Sequence, residues 1–410
     1  MALPATPKVE IRFGTGAGFG NVLVLGSGSQ GILGTNVLGT SAALPVDVTS
    51  QVTSLNIRRG RDRIFDHYDS GVAVLELYDD TGDLNPENPS GPYYGDILPL
   101  RQIRISASYS GNDYYLFSGY ITSWDYTYPQ GADLARVSIV ANDGFRLLNL
   151  AEVDTIAGTS AGQDTGARVA DVLEAAGWPS SQTIISTGSV TVQDDPGGIR
   201  QALTVLQQLE DTELGALYMD AAGNAVFKSK DALSQQATTT KTYFDDTNTN
   251  IQYQAIDVTL DDTDLANDVT VTRVGGTAQN AQDATSISDY YRRSLSRTGL
   301  LMETDSQALG QANSILNARK SVGLLIRSIG IDCSSPSNRV AAALELDIGD
   351  PIQVTRTTVG GAITADLTVQ GVTHQITPGT WFTTFSTAIP LGTAFVLGSS
   401  EFGILGTSTL

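Results

Sequence analysis

Cysteine is nearly absent. The single thiol, Cys333, excludes an internal disulfide framework and any zinc site built on several thiolates. Histidine is almost as scarce, so imidazole chemistry could come only from His67 or His374. Basic residues are few. With 24 Lys and Arg against 44 Asp and Glu, the net charge is −20, and such a surface repels phosphate backbones, which excludes general nucleic-acid binding. The same surface would suit a passage through which DNA slides without sticking. No apolar run approaches the roughly 20 residues that a membrane helix needs. The opening stretch MALPATPKVEIRF has no charged segment followed by an apolar one, so neither a membrane span nor a signal peptide is expected.

Glycine, by contrast, is plentiful at 42 residues, alongside many Thr, Ser and Asp, the usual mixture of strands and turns. The length of 410 residues predicts two or three domains. Residues 46–150 show a period of two. Ile103, Ile105, Ala107 and Tyr109 alternate with polar neighbours, as do Ala135, Val137, Ile139 and Ala141, which marks half-buried strands. Residues 155–235 change character. Val169, Val172, Leu173 and Ala176 have helical spacing, with Thr165 as N-cap and Gly177 as stop. A second helix carries Ile199, Leu203, Leu206 and Leu209, residues 183–193 between the two read as strand, and a hairpin turns at Ala222-Gly223-Asn224. Residues 240–392 return to strands with one helix, opened by a Thr304/Gln307 capping box. The predicted fold is mainly β with a small α+β insert.

The two ends of the chain form a pair. Residues 24–38 (VLGSGSQGILGTNVL) and 396–410 (VLGSSEFGILGTSTL) are identical at ten of fifteen positions. Residues 1–45 are a Gly-rich strand extension, and 393–410 carry its repeat. A sticky strand at both termini predicts edge pairing, within the chain or between neighbours, through Val24, Leu25, Ile32 and Leu33 and their counterparts Val396, Leu397, Ile404 and Leu405.

Candidate chemistry is thin. The glycines at 14, 16, 18 and 20 lack the following helix and the Lys-Ser/Thr of a phosphate loop. His67 lies in Asp66-His67-Tyr68-Asp69, but no Gly-x-Ser-x-Gly turn flanks it. Asp79, Asp80 and Asp83, followed by Asn85, are weak candidates for a calcium loop, and their spacing departs from the EF-hand pattern. Asp261, Asp262 and Asp264 form a similar weak cluster. No cofactor and no catalytic residue is expected. Arg58, Arg59, Arg61 and Arg63 are the only dense basic run, and in an acidic protein they are expected to meet an acidic patch on a neighbouring subunit.

The segment from 54 to 105, SLNIRRGRDRIFDHYDSGVAVLELYDDTGDLNPENPSGPYYGDILPLRQIRI, followed by FSGYITSWDYTYPQGADLARVSIVANDGFRLLN at 117–149, resembles minor tail proteins of long-tailed phages (siphophages), in particular tail-tip or baseplate hub proteins. The segments ARKSVGLLIRSIGID, LELDIGDPIQVTRT and TVQGVTHQITPGTWFTTFSTA are similar to the second half of such hubs. The resemblance implies two tube-like β-barrel domains per chain, over residues 46–150 and 240–392. It also implies a homotrimer in the virion tail, made in the bacterial cytoplasm and surrounding the channel through which phage DNA exits. The implied partners are a distal tail protein, a tape-measure protein and receptor-binding or fibre proteins. Asn85 and Pro86, in the Asn-Pro-Glu-Asn-Pro loop, become contact residues. Two readings stay open beside it: a hexameric distal tail or ring protein, and a carbohydrate-binding adhesin using Trp124, Tyr126, Tyr128 and Trp381 as stacking faces.

Overall fold

The computed structural model describes residues 3–14, 44–63, 66–129, 135–247, 249–335 and 337–390. The chain is mainly β, with a small α+β insert. In Ala135–Asn142 the odd-numbered residues Ala135, Val137, Ile139 and Ala141 are buried and the even-numbered ones are not, as the period-two pattern requires.

The first β-region holds five antiparallel strands. Their spatial order is Val52–Gly60, Asp69–Asp79, Ala135–Asn142, Asn112–Thr127, Gln102–Tyr109. Thr6–Arg12 adds to the outer edge of the last. The second β-region repeats this arrangement with Ala255–Thr259, Leu325–Asp332, Thr380–Ala388, Gly361–Thr377 and Pro351–Thr358. Counted along the chain, each set runs first, second, fifth, fourth, third across the sheet. The fourth strand is the long one in both. Its first half pairs with the third strand and its second half with the fifth. A register shift marks the handover in each, between Ile121 and Ser123 and between Val369 and Gly371. Ile121 exchanges backbone hydrogen bonds with Leu100 and Arg101, and Val369 does the same with Gly349 and Asp350. The topology is therefore duplicated within one chain.

The two copies do not stand apart. Leu55–Gly60 pairs antiparallel with Gly371–Ile376, which joins the two copies into one 14-stranded sheet. An exposed first-strand edge would have been a template for misassembly, and pairing removes it. A single apolar core runs through both copies, from Ile57, Leu75 and Ile139 to Ile329, Val372 and Phe385. Among the described residues the strand pairings do not close into a ring.

The insert packs helices Thr165–Ala175 and Ala202–Glu213 with a three-stranded sheet of Thr183–Ile185, Ala225–Lys228 and Ala216–Met219. Three details differ from the sequence reading. The N-cap of the first helix is Asp164, whose Oδ1 accepts from the Ala167 N–H at 3.0 Å. The second helix begins at Ala202, which leaves Ile199 outside it and exposed. The intervening stretch is two short strands, Thr183–Ile185 and Thr191–Val192, because the Gly188 N–H turns back to bond Asp164 Oδ1 at 2.8 Å.

The Thr304/Gln307 capping box opens the helix Asp305–Arg319 as predicted. Among the described residues, 240–392 nevertheless hold three helices rather than one, with Ala284–Tyr290 and Asn338–Glu345 as the additions. Both are too short for periodicity to reveal. Asp305–Arg319 covers a separate sheet of Gln279–Gln282, Asp268–Arg273 and Ser294–Leu300, whose core includes Val269, Val271, Ala308, Ala312 and Ile315. No described helix is long and apolar enough to cross a membrane.

Candidate functional site

The arginine run lies where the two β-regions meet. Leu55, Ile57 and Arg59 share one strand face, and these three and Arg61, just past the strand's end at Gly60, are buried. Arg59 Nε donates to the Leu116 carbonyl at 3.1 Å and Nη2 to Asp347 Oδ1 at 2.9 Å. It therefore ties the first strand to the long strand of its own region and to the turn that opens Pro351–Thr358. Arg61 Nε donates to Gln370 Oε1 at 2.9 Å and Nη1 to the Asp66 carbonyl at 2.8 Å, and the guanidinium stacks 4.2 Å from the centroid of Tyr68. Sequence reasoning aimed Arg59 and Arg61 at a neighbouring subunit. The structure turns both inward: Arg59 continues the apolar parity of Leu55 and Ile57, Arg61 follows just past the strand's end, and their charges are met by carbonyls, a carboxylate and a ring within the chain. Arg58 points the other way and pairs with Asp62 at 2.7 Å at the surface. Arg63 is exposed, on the rim of a cleft of about 370 Å³ shared with Asp261, Asp264 and Arg327.

The insert is tied to this junction. Tyr68 packs against Tyr218, with ring centroids 5.4 Å apart. The two nitrogens of His67 face Glu210 Oε2 at 3.0 Å and Asp211 Oδ2 at 3.4 Å. Asp211 also meets Arg297. The hydrogen bond to Glu210 raises the His67 pKa above its ordinary 6.5, and burial raises that of Glu210 above 4.5. A raised His67 value means that its stabilisation is complete below 6.5 and is lost as pH rises through the raised value. The stability difference between wild type and His67→Ala is therefore expected to shrink as pH climbs from 6 to 8. Denaturant unfolding of both proteins across that window measures it, and a growing difference would contradict the assignment. Both imidazole nitrogens are engaged by carboxylates, so His67 acts as a tie between elements. His374 is fully enclosed, near Thr383 Oγ1 and Trp381 Nε1, and burial pushes its pKa down to about 3. It is a neutral core residue.

The acidic loop satisfies itself. Asp79 is buried, and its two oxygens accept the backbone N–H groups of Asp83 at 3.0 Å and Leu84 at 3.1 Å. Asp80 is exposed and Asp83 half-buried. Asn85 Oδ1 accepts from the Glu87 N–H and Asn88 Oδ1 from the Ser90 N–H, successive Asx turns with half-buried Pro86 between them. Asp79→Ala is expected to destabilise the chain by about 1–3 kcal/mol by orphaning two donors. A chelator should leave the wild-type unfolding midpoint unchanged, and a shift would revive the calcium reading. In the second acidic cluster, Arg327 meets Asp261 and Asp264, and Arg293 meets Asp262. Val24, Leu25, Ile32, Leu33, Val396, Leu397, Ile404 and Leu405 lie outside the described residues.

Two strand edges of the duplicated sets lack, among the described residues, the neighbour that their counterparts have. Ala255–Thr259 pairs only with Leu325–Asp332. Residues 123–127 of the long strand pair only with Ala135–Asn142. Aromatic side chains line the second edge. Trp124 Nε1 donates to the Leu98 carbonyl at 3.2 Å and the Tyr126 hydroxyl to the Leu84 carbonyl at 2.9 Å, while Tyr128 is 63% exposed. Trp381, expected as a stacking face, is instead buried in the core. The segment Gly158-Thr159-Ser160-Ala161-Gly162 spells a nucleophile elbow that sequence reading passed over. It is a surface turn without the strand-to-helix geometry the elbow needs, and its Ser160 carbonyl is held by Arg168 Nη2 at 3.0 Å.

At the level of sequence, no family model and no curated protein matches the chain. Solved structures do match its fold. A tail protein from Neisseria meningitidis MC58 aligns over 94% of this chain and 98% of its own, with a TM-score of 0.59 and 12% identity. The 43 kDa tail protein of prophage MuSo2 from Shewanella oneidensis aligns over 85% and 95%, with a TM-score of 0.54 and 16% identity. The chain has the fold of these two tail proteins over nearly its whole described length.

Proposed function

We propose that this chain is a structural, non-enzymatic subunit of a phage virion tail, and more narrowly a hub at the tail tip that joins the tail tube to the distal apparatus around the DNA exit channel. The observation that carries the reading is the match in fold to a tail protein across 94% of this chain and 98% of that one. The internal duplication supports the hub. Three chains bearing two equivalent β-regions each would present six to a six-fold tube, a closed arrangement of the kind oligomers favour. The neighbours would be a distal tail protein, a tape-measure protein and receptor-binding or fibre proteins. The surplus of acidic residues would face the lumen and let DNA pass unbound. A hexameric ring protein would need only one β-region per chain, so duplication weighs against that alternative. The adhesin alternative loses a stacking face with the burial of Trp381.

The test is particle composition and labelling. Tail particles purified from cells making this chain should contain it by mass spectrometry, and antibody-gold should decorate the end distal to the head. A chain missing from the particles, or labelling along the whole tube, would overturn the reading.

A further inference from the structure

The duplicated topology has an unmatched half. Within the chain, the first strand of the first copy pairs with the long strand of the second: Leu55–Gly60 lies beside Gly371–Ile376. The reciprocal elements are the first strand of the second copy, Ala255–Thr259, and the long strand of the first copy beyond its register shift, residues 123–127. Among the described residues, neither has the neighbour that its counterpart has. We propose that they pair with each other between copies of this chain, antiparallel and head to tail, with Thr127 of one copy opposite Asp257 of the next.

The register follows from the internal equivalences. Trp124 lies opposite Ile139, and Ile139 opposite Leu75. In the second copy Val372 lies opposite Phe385, and Phe385 opposite Ile329. Trp124 is thus the counterpart of Val372, and Thr127 of Gln375. Leu55 pairs with Leu75 and Ile256 with Ile329, so Asn56 corresponds to Asp257. Asn56 sits opposite Gln375 within the chain, which sets Asp257 opposite Thr127 between chains.

The side chains suit that register. Inside the chain the pairing brings Leu55 against Ile376 and Ile57 against His374, all buried. Between copies it would bring Ile256, Val258 and Leu260 against Tyr128, Tyr126 and Trp124. Leu260 and Tyr128 are now 65% and 63% exposed, so association covers apolar surface that the isolated chain leaves wet. Asp257 and Thr127 are exposed and face away from this apolar row. The two edges differ, so the contact is heterologous and generates a ring when its rotation closes. Closure at three copies rests on the hub reading above, whereas the pairing itself does not.

Paired cysteines test it in the full chain, whose own thiol, Cys333, is buried. Thr127→Cys/Asp257→Cys is expected to give disulfide-linked dimers and trimers under mild oxidation, at least tenfold more than either single variant or the off-face pair Tyr126→Cys/Asp257→Cys. Adding Leu260→Asp should abolish the ladder while circular dichroism stays that of the folded chain. A monomer throughout, equal cross-linking by a single variant, or an undiminished ladder with Leu260→Asp overturns the pairing. Cross-linking as expected in a chain missing from tail particles would leave the pairing standing and defeat only the tail function.

Discussion

Gly60→Ala is expected to destabilise the chain by more than about 4 kcal/mol, the range reserved for frank steric or backbone conflict. Gly60 has φ of +101°, and an added Cβ would lie 2.3 Å from the Gln370 carbonyl oxygen and 2.4 Å from Gly371 Cα. Both obstacles are backbone, so neither can swing aside, and an L side chain is strained at that φ in any case. The conflict falls on the seam where Leu55–Gly60 meets Gly371–Ile376. The loss should therefore appear as uncoupling of the two β-regions as well as lower stability. Trp124 reports on the first region and Trp381 on the second. In single-tryptophan versions of the parent chain their denaturant transitions should coincide, and in Gly60→Ala they should separate. An unchanged midpoint would show that the seam carries little of the stability.

Arg59→Met is expected to destabilise the chain by about 2–4 kcal/mol, whereas Arg58→Ala one position away should change it by at most about 0.5 kcal/mol. Methionine keeps most of the buried stem, so the loss isolates the guanidinium. Its removal strips the Leu116 carbonyl and Asp347 of a partner. Asp347 is 36% exposed at its side chain and can recruit water, which holds the effect below that of a fully enclosed pair. Arg58 and Asp62 are 49% and 67% exposed, and solvent screens them. Chemical unfolding of the two variants side by side gives the contrast. Equal effects would mean that burial does not distinguish the two arginines.

The same arginines show how far the sequence could be read. The β pattern at residues 102–109 and 135–142, the Thr304 capping box and the α+β insert were legible, because each rests on local periodicity or on capping chemistry a few residues long. The direction of Arg59 was also legible, since it continues the odd-numbered parity of Leu55 and Ile57 along Val52–Gly60, whereas Arg61 lies past the strand's end. Their charge argued for a neighbouring subunit, yet both turn inward because Leu116, Asp347, Gln370 and Asp66 supply acceptors from four separate stretches of chain. No local pattern announces partners up to 309 residues away. The seam between residues 55–60 and 371–376 was illegible for the same reason, and so was the equivalence of the two five-strand sets. That equivalence lies in register shifts and strand order, which share almost no residue identities. The turns of the acidic loop rest on local Asx chemistry, a side-chain oxygen accepting a backbone N–H two residues on.

The arrangement of copies of this chain in a tail decides between a hub and a ring protein. A three-dimensional reconstruction of the tail end, computed without imposed symmetry, measures that directly. The prediction is three copies around the axis, six β-regions in one ring, and Ala255–Thr259 of each copy against residues 123–127 of the next. Six copies in the ring, or edges that face solvent in the assembled tip, would contradict it.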